Sequence, residues 1–170
     1  MIYSCHKLNV FHSPHSSEWV TDPSTGKQYT VVPPEAGKGI DIQRSKKTCE
    51  YYNAILPEPR TEEENKFVAG LKDDMFFLGV NDLDQDGVWT YNSDNSPVTW
   101  LNGKPESQEI FVHTGMYTKS RGCGLMWNRN FVTDELKPEI WMDSPCSFYK
   151  KFYIFEDVVC QSGMHNYVYK

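Results

Sequence analysis

Apolar positions recur along the chain with two different periods, and the change falls near Lys72. Before it the period is helical. From about Asp41 the spacing of Ile42, Cys49 and Tyr52 predicts a helix that ends before Pro57. A second helix is marked by Phe67, Val68 and Leu71. Thr61 stands as its N-cap, and Glu64 three residues on completes a capping-box pattern. Glu62 and Glu63 put negative charge in the first turn, where the helix dipole favours it. Ahead of both helices, alternation over Lys27 to Val32 predicts a strand that Pro33-Pro34 ends. Residues 1 to about 26 read as polar and irregular.

After Lys72 the pattern is that of short strands. Met75 to Val80 is an unbroken apolar run, as expected of a strand covered on both faces. Val88–Tyr91, Pro97–Trp100, Leu125–Trp127, Ile140–Met142 and Phe152–Val159 are further candidates. Trp89, Trp100 and Trp141 read as core residues rather than stacking platforms. Two early helices followed by many short strands predict an α+β domain. No repeat or linker divides the 170 residues, so one domain is expected.

Composition removes several functions. The formal net charge is −6 and no Lys/Arg run occurs, which argues against a nucleic-acid partner. No stretch approaches the roughly 20 apolar residues of a membrane span. Met1 to Lys7 lacks an apolar signal core, as in a cytosolic protein or a mature form with its signal removed. Five cysteines, at 5, 49, 123, 146 and 160, include no Cys-x-x-Cys pair of the zinc or redox kind. Wide spacing in a loop-rich chain favours disulfides and an oxidising compartment, hence a secreted protein or an ectodomain, although no Asn-x-Ser/Thr sequon is present. Four cysteines can pair in three ways, and spacing does not choose among them.

The order of these pieces resembles a C-type lectin-like domain. The resemblance runs from Trp19 to Cys160, with residues 1–18 as an N-terminal arm and 161–170 as a tail. It is carried by Thr48-Cys49-Glu50, by the second helix, and by Phe77-Leu78-Gly79-Val80 in place of the family's Trp-Ile-Gly-Leu. Gly87-Val88-Trp89, Trp100, Pro105 and Trp141-x-Asp143-x-x-Cys146 follow in register. The resemblance implies two helices, two small antiparallel sheets and long loops. It also implies disulfides Cys49–Cys160 and Cys123–Cys146.

Sugar-binding relatives hold a calcium through Glu-Pro-Asn or Gln-Pro-Asp, a Glu near the third cysteine, and Trp-Asn-Asp. At the matching positions this chain has Lys104-Pro105-Glu106, Arg121 and Trp141-Met142-Asp143. A hard dication wants several oxygens, whereas lysine and arginine offer only donors and methionine a soft sulfur. The usual calcium-dependent sugar site is therefore expected to be absent, with no cofactor required. Asp82, Asp84 and Asp86 form an Asp-x-Asp-x-Asp-Gly string like half an EF-hand loop. The twelfth position is Ser93, however, and a strand pattern follows. A weak calcium site and a solvated acidic turn are the two readings of that loop, the turn favoured.

The ligand-binding candidates are Asn102, Lys104, Glu106, Arg121 and Asp143 at the long-loop tip, and Trp127, Asn128 and Arg129, which have the composition of interface anchors. The bland alternatives are ordinary exposed charges and a core Trp127. Cys5 has no evident partner, since Gln28 stands roughly where longer relatives carry a second cysteine. An interchain disulfide linking a homodimer and a free thiol both fit. His6, His12 and His15 match no metal spacing. The expected function is an extracellular module that binds a protein, or a glycan without calcium, through its long loops. The alternatives are a calcium-dependent lectin with atypical ligands and an assembly role through Cys5. Catalysis by Cys5 and His6 is disfavoured, since adjacency in sequence does not pair them and no oxyanion or acid partner can be named.

Overall fold

The computed structural model describes residues 18–33, 41–73, 75–84, 88–100, 111–112, 121–129, 136–146 and 157–163. Within them lie two helices and nine strands. A four-stranded antiparallel sheet has the order β1–β2–β9–β3, from β1 (Val20–Thr21), β2 (Gln28–Val32), β3 (Ala54–Ile55) and β9 (Val158–Ser162). A five-stranded sheet has the order β5–β4–β7–β8–β6. It contains β4 (Phe76–Asn81), β5 (Thr90–Tyr91), β6 (Phe111–Val112), β7 (Arg121–Arg129) and β8 (Leu136–Pro145). That sheet is antiparallel except for β6, which runs parallel to β8.

Helix α1 (Ile42–Tyr51) starts where the Asp41 carboxylate accepts the Arg44 N–H at 2.8 Å, and it buries Ile42, Ser45 and Cys49 on one face. It ends in a turn through Asn53, whose φ of 53° leads the chain into β3. Helix α2 (Glu62–Ala69) is capped by Thr61, whose hydroxyl accepts the Glu64 N–H at 3.1 Å. Only that half of the capping box forms. The Glu64 carboxylate reaches the Arg60 N–H at 2.8 Å rather than the Thr61 N–H, because Tyr29 and Lys27 also draw it inward.

Strand β4 is buried on both faces, as its unbroken apolar run predicts. Phe76, Leu78 and Val80 enter one core cluster with Tyr29, Val68, Met126 and Trp141. Phe77 enters the other, with Ile42, Leu56, Leu125 and Met142. Alternation along β7 and β9 sorts their residues in the same way, Leu125 against Met126 and Cys160 against Val159. Two disulfides brace this core. Cys49–Cys160 ties α1 to β9, and Cys123–Cys146 ties β7 to the end of β8.

The three tryptophans read as core lie there: Trp141 is fully buried, and Trp89 and Trp100 pack partly buried against the same cluster. Other sequence expectations change. Pro97–Trp100 makes no strand; Pro97 forms an isolated bridge with Thr90, and Val98 donates its N–H to the Trp89 carbonyl. Val88 lies outside β5 and is exposed. β7 and β8 extend well beyond the short apolar runs that marked them, because each supplies the other's ladder. Residues 152–156 of the last candidate strand lie outside the described residues, and β9 continues to Ser162. Val20–Thr21 is a strand within the stretch read as irregular, turned onto β2 through Asp22. No helix among the described residues is long and apolar enough to cross a membrane.

Candidate functional site

The β7–β8 ribbon positions the described part of the predicted binding surface. Gly124 pairs with Asp143, Cys123 with Ser144, and Arg121 with Pro145. Arg121 and Asp143 therefore sit on neighbouring strands at the end of the ribbon that Cys123–Cys146 clamps, where a register shift between Arg121 and Cys123 bends the ladder. Trp127, Asn128 and Arg129 lie towards the other end, where Trp127 pairs with Ile140 and Arg129 with Leu136. Five steps along the strand separate Arg129 from Gly124, roughly 16 Å. The backbone thus divides the candidates into two groups. Asn102, Lys104 and Glu106 lie outside the described residues, as do Asp86 and Cys5.

Met142 bears on the calcium question. It is 8% exposed and packs in the cluster that holds Leu125 and Phe77. The position expected from the sequence resemblance to replace the asparagine of sugar-binding relatives is thus an apolar core residue. Of the acidic loop, Asp82 is half-buried and donates its N–H to the Gly122 carbonyl at 2.9 Å, while Asp84 is exposed. Among the described residues no three His, Cys, Asp or Glu side chains form a group able to hold a metal.

Beside α2 the structure assembles a polar cluster that local sequence did not announce. Glu58 is 2% exposed, and its carboxylate accepts the Ser93 N–H at 2.8 Å, the Ser93 hydroxyl at 2.5 Å and the Arg60 Nη2 at 3.2 Å. Burial raises its pKa above the ordinary carboxylate value, against the opposing pull of Ser93 and Arg60. The Arg60 guanidinium also binds Asp94 at 3.0 Å and lies over the Tyr91 ring, 4.1 Å from its centroid. Tyr91 and the Trp100 indole each donate to the Pro59 carbonyl at 2.9 Å.

A second buried acid, Glu64, accepts the Tyr29 hydroxyl at 2.6 Å and pairs with Lys27 at 2.5 Å. Next to it, Asn65 accepts the Trp141 indole N–H at 2.7 Å. The only sequence signal for any of this was the N3 position of Glu64. Partners such as Ser93 and Gln161 come from 35 and 103 residues away.

This arrangement of two helices, two sheets and two disulfides defines a class. Residues 38–154 match the model of the Lectin C-type domain, so the chain belongs to that family. Solved structures agree on the fold. The cow C-type carbohydrate-recognition domain of CD23, determined in the presence of a GlcNAc2Man3 oligosaccharide, aligns with a TM-score of 0.55 at 18% identity, covering 84% of this chain and 91% of that one. The human scavenger receptor C-type lectin carbohydrate-recognition domain gives 0.55 at 16%, covering 84% and 94%. A Ca2+-dependent type II antifreeze protein in its Ca2+-free form gives 0.55 at 18%, covering 84% and 95%. Such identities carry the fold alone. Domains of this family are generally recognition modules rather than enzymes.

Proposed function

We propose that this domain is an extracellular recognition module that binds a protein, or a glycan without calcium, through its long-loop surface. Arg121 and Asp143 are the part of that surface in the described ribbon, and Asn102, Lys104 and Glu106 are its proposed companions. Trp127, Asn128 and Arg129 form a proposed second patch. The observation that carries the reading is Met142, an apolar side chain held in the core at a position where calcium-binding relatives supply an oxygen. The lysine and arginine at two further ligand positions point the same way. The two disulfides suit an oxidising compartment.

A thermal melt in millimolar calcium and then in EDTA tests the metal half of the proposal. A ligand at one hundred times its Kd adds about 2.7 kcal/mol and moves the midpoint by several degrees. We expect superimposable melts, followed by a partner whose capture is weakened by Arg121→Ala and Asp143→Ala. A calcium-dependent rise with EDTA-sensitive glycan binding would establish the alternative, a calcium-dependent lectin with atypical ligands. An assembly role through Cys5 would show as a linked dimer on non-reducing gels that collapses on reduction.

A further inference from the structure

Away from the ribbon end, a groove of about 980 Å3 runs along β3 between α1 and the Glu58 cluster. Lys46 and Glu50 of α1 form one bank, Ile55 and Leu56 the apolar floor, and Glu58, Ser93 and Gln161 the far side. This volume is of the size that holds small ligands.

Gln161 is the unusual member. Its side chain is 94% buried by the residue's 6% exposure, and its orientation is set because Oε1 accepts the Glu58 N–H at 2.8 Å. That leaves the two amide protons on Nε2, which donate to nothing among the described residues. Buried donors of this kind are normally satisfied. The neighbouring Ser162 hydroxyl accepts the Gln28 N–H at 3.1 Å, and its own proton meets no acceptor among the described residues. Glu58 offers the complementary chemistry. Among the described residues its Oε1 accepts the Ser93 N–H and no second donor, so one lone pair is unused on a carboxylate that lines the same groove.

Charge narrows the ligand. Glu58 is paired with Arg60, and Lys27, at the rim, with Glu64. The remaining Lys46 and Glu50 oppose one another in sign. The groove therefore favours neither an anion nor a cation. Donors on Gln161 and Ser162, an acceptor on Glu58 and the apolar Ile55 and Leu56 line one groove. Vicinal hydroxyls match that pattern, one oxygen accepting from an amide and the next hydroxyl donating to a carboxylate, with the C–H face on Ile55 and Leu56.

We propose that this groove is a second binding site, one for a short, neutral saccharide held by Gln161, Ser162 and Glu58 without a metal. The site is independent of the long-loop surface and stands or falls separately from it.

The test uses the whole 15N-labelled chain in EDTA, titrated to millimolar concentrations with methyl glycosides of mannose, galactose, glucose, fucose and N-acetylglucosamine and with their disaccharides. At least one sugar is expected to shift the Gln161 side-chain NH2 pair together with the Ser93 and Ser162 amides. Gln161→Glu, which replaces the donors with an acceptor, should weaken that sugar at least about tenfold, or about 1.4 kcal/mol. Glu50→Trp blocks the mouth from the solvent face of α1, should weaken it similarly, and carries the test if Gln161→Glu fails to fold. The proposal is overturned if no sugar moves these resonances, if shifts are confined to residues 121–146, or if both variants bind as the parent does. Displacement of the sugar signals by an unstructured peptide that binds more tightly along β3 would overturn it as well.

Discussion

The two disulfides brace unlike parts of one domain. Cys49 and Cys160 are both fully buried, lie in the core cluster with Ile42 and Leu56, and close 111 residues of chain. Cys123 is buried but Cys146 is only half so, and their bond closes 23 residues at the end of the β7–β8 ribbon. The first bond lies in an apolar cluster with Ile42, Ala54, Leu56 and Val158. Around the second the ladder bends, and Arg121 and Asp143 flank it on neighbouring strands. The first bond is placed to hold the core, the second to brace one end of a two-stranded ribbon.

The largest expected effect follows from chain entropy. Replacing Cys49 and Cys160 by alanine should remove about 5 kcal/mol, and replacing Cys123 and Cys146 about 3.5 kcal/mol, with the loops they close. A stability of ordinary size is about 5–15 kcal/mol, so the first variant should be largely unfolded at 37 °C while the second stays folded with a lower denaturant midpoint. Equal losses in the two variants would erase the distinction drawn between core and ribbon end.

Glycines sharpen the comparison at a smaller scale. A Cβ on Gly79 would meet Glu58 Cγ at 2.7 Å and the Leu56 carbonyl at 2.9 Å, inside the buried cluster. A Cβ on Gly122 would meet the Asp82 carbonyl at 2.8 Å, at the more open ribbon end. Gly79→Ala should cost about 1–3 kcal/mol in urea unfolding, with Gly122→Ala nearer the low end because the Asp82 turn has solvent to move into. The reverse order would mean that the ribbon end is the more rigid of the two.

The smallest effect is a pair of opposite pH dependences, both on the core side. The buried Asp22 closes the β1–β2 turn. Burial opposes its charge, but the Ser24 N–H and hydroxyl, the Thr25 hydroxyl and Lys27 together hold its carboxyl below the ordinary value. Its stabilisation is present above the unfolded value of about 3.8 and is lost as pH falls through the lower folded one. Glu58 is raised by burial, so its contribution is full below about 4.5 and declines as pH rises through the folded value. Asp22→Asn should therefore flatten the acid loss of stability, and Glu58→Gln should remove a gain on acidification. Denaturant midpoints between pH 3 and 7 measure both, and slopes of the same sign for the two variants would refute the assignment.

Much of the scaffold could be read from local pattern. α1, α2, β2 and β4 each carry their own signal: an N-cap oxygen, a helical stripe, an alternation, or an apolar run long enough to be covered twice. β1, β3 and β6 are two residues each, too short to show a period, and exist because a neighbouring ladder recruits them. Pro97–Trp100 had the composition of a strand, yet Pro97 has no N–H to give a ladder and makes only a bridge. The long-loop candidates came from motif positions, of which the ribbon places Arg121 and Asp143 near each other and Trp127 to Arg129 apart from them.

Residue order alone carried the family and the two helices, and it is the source of the expectation that Lys104, Arg121 and Met142 replace oxygen ligands, because these depend on which side chain occupies a position. The Glu58–Arg60–Ser93 cluster, the inward turn of Glu64 and the Gln161 amide without an acceptor among the described residues belong to the folded molecule only. Each depends on groups brought together from distant elements. A hydrogen bond reaches about 3 Å through space regardless of how many residues separate its ends in the chain.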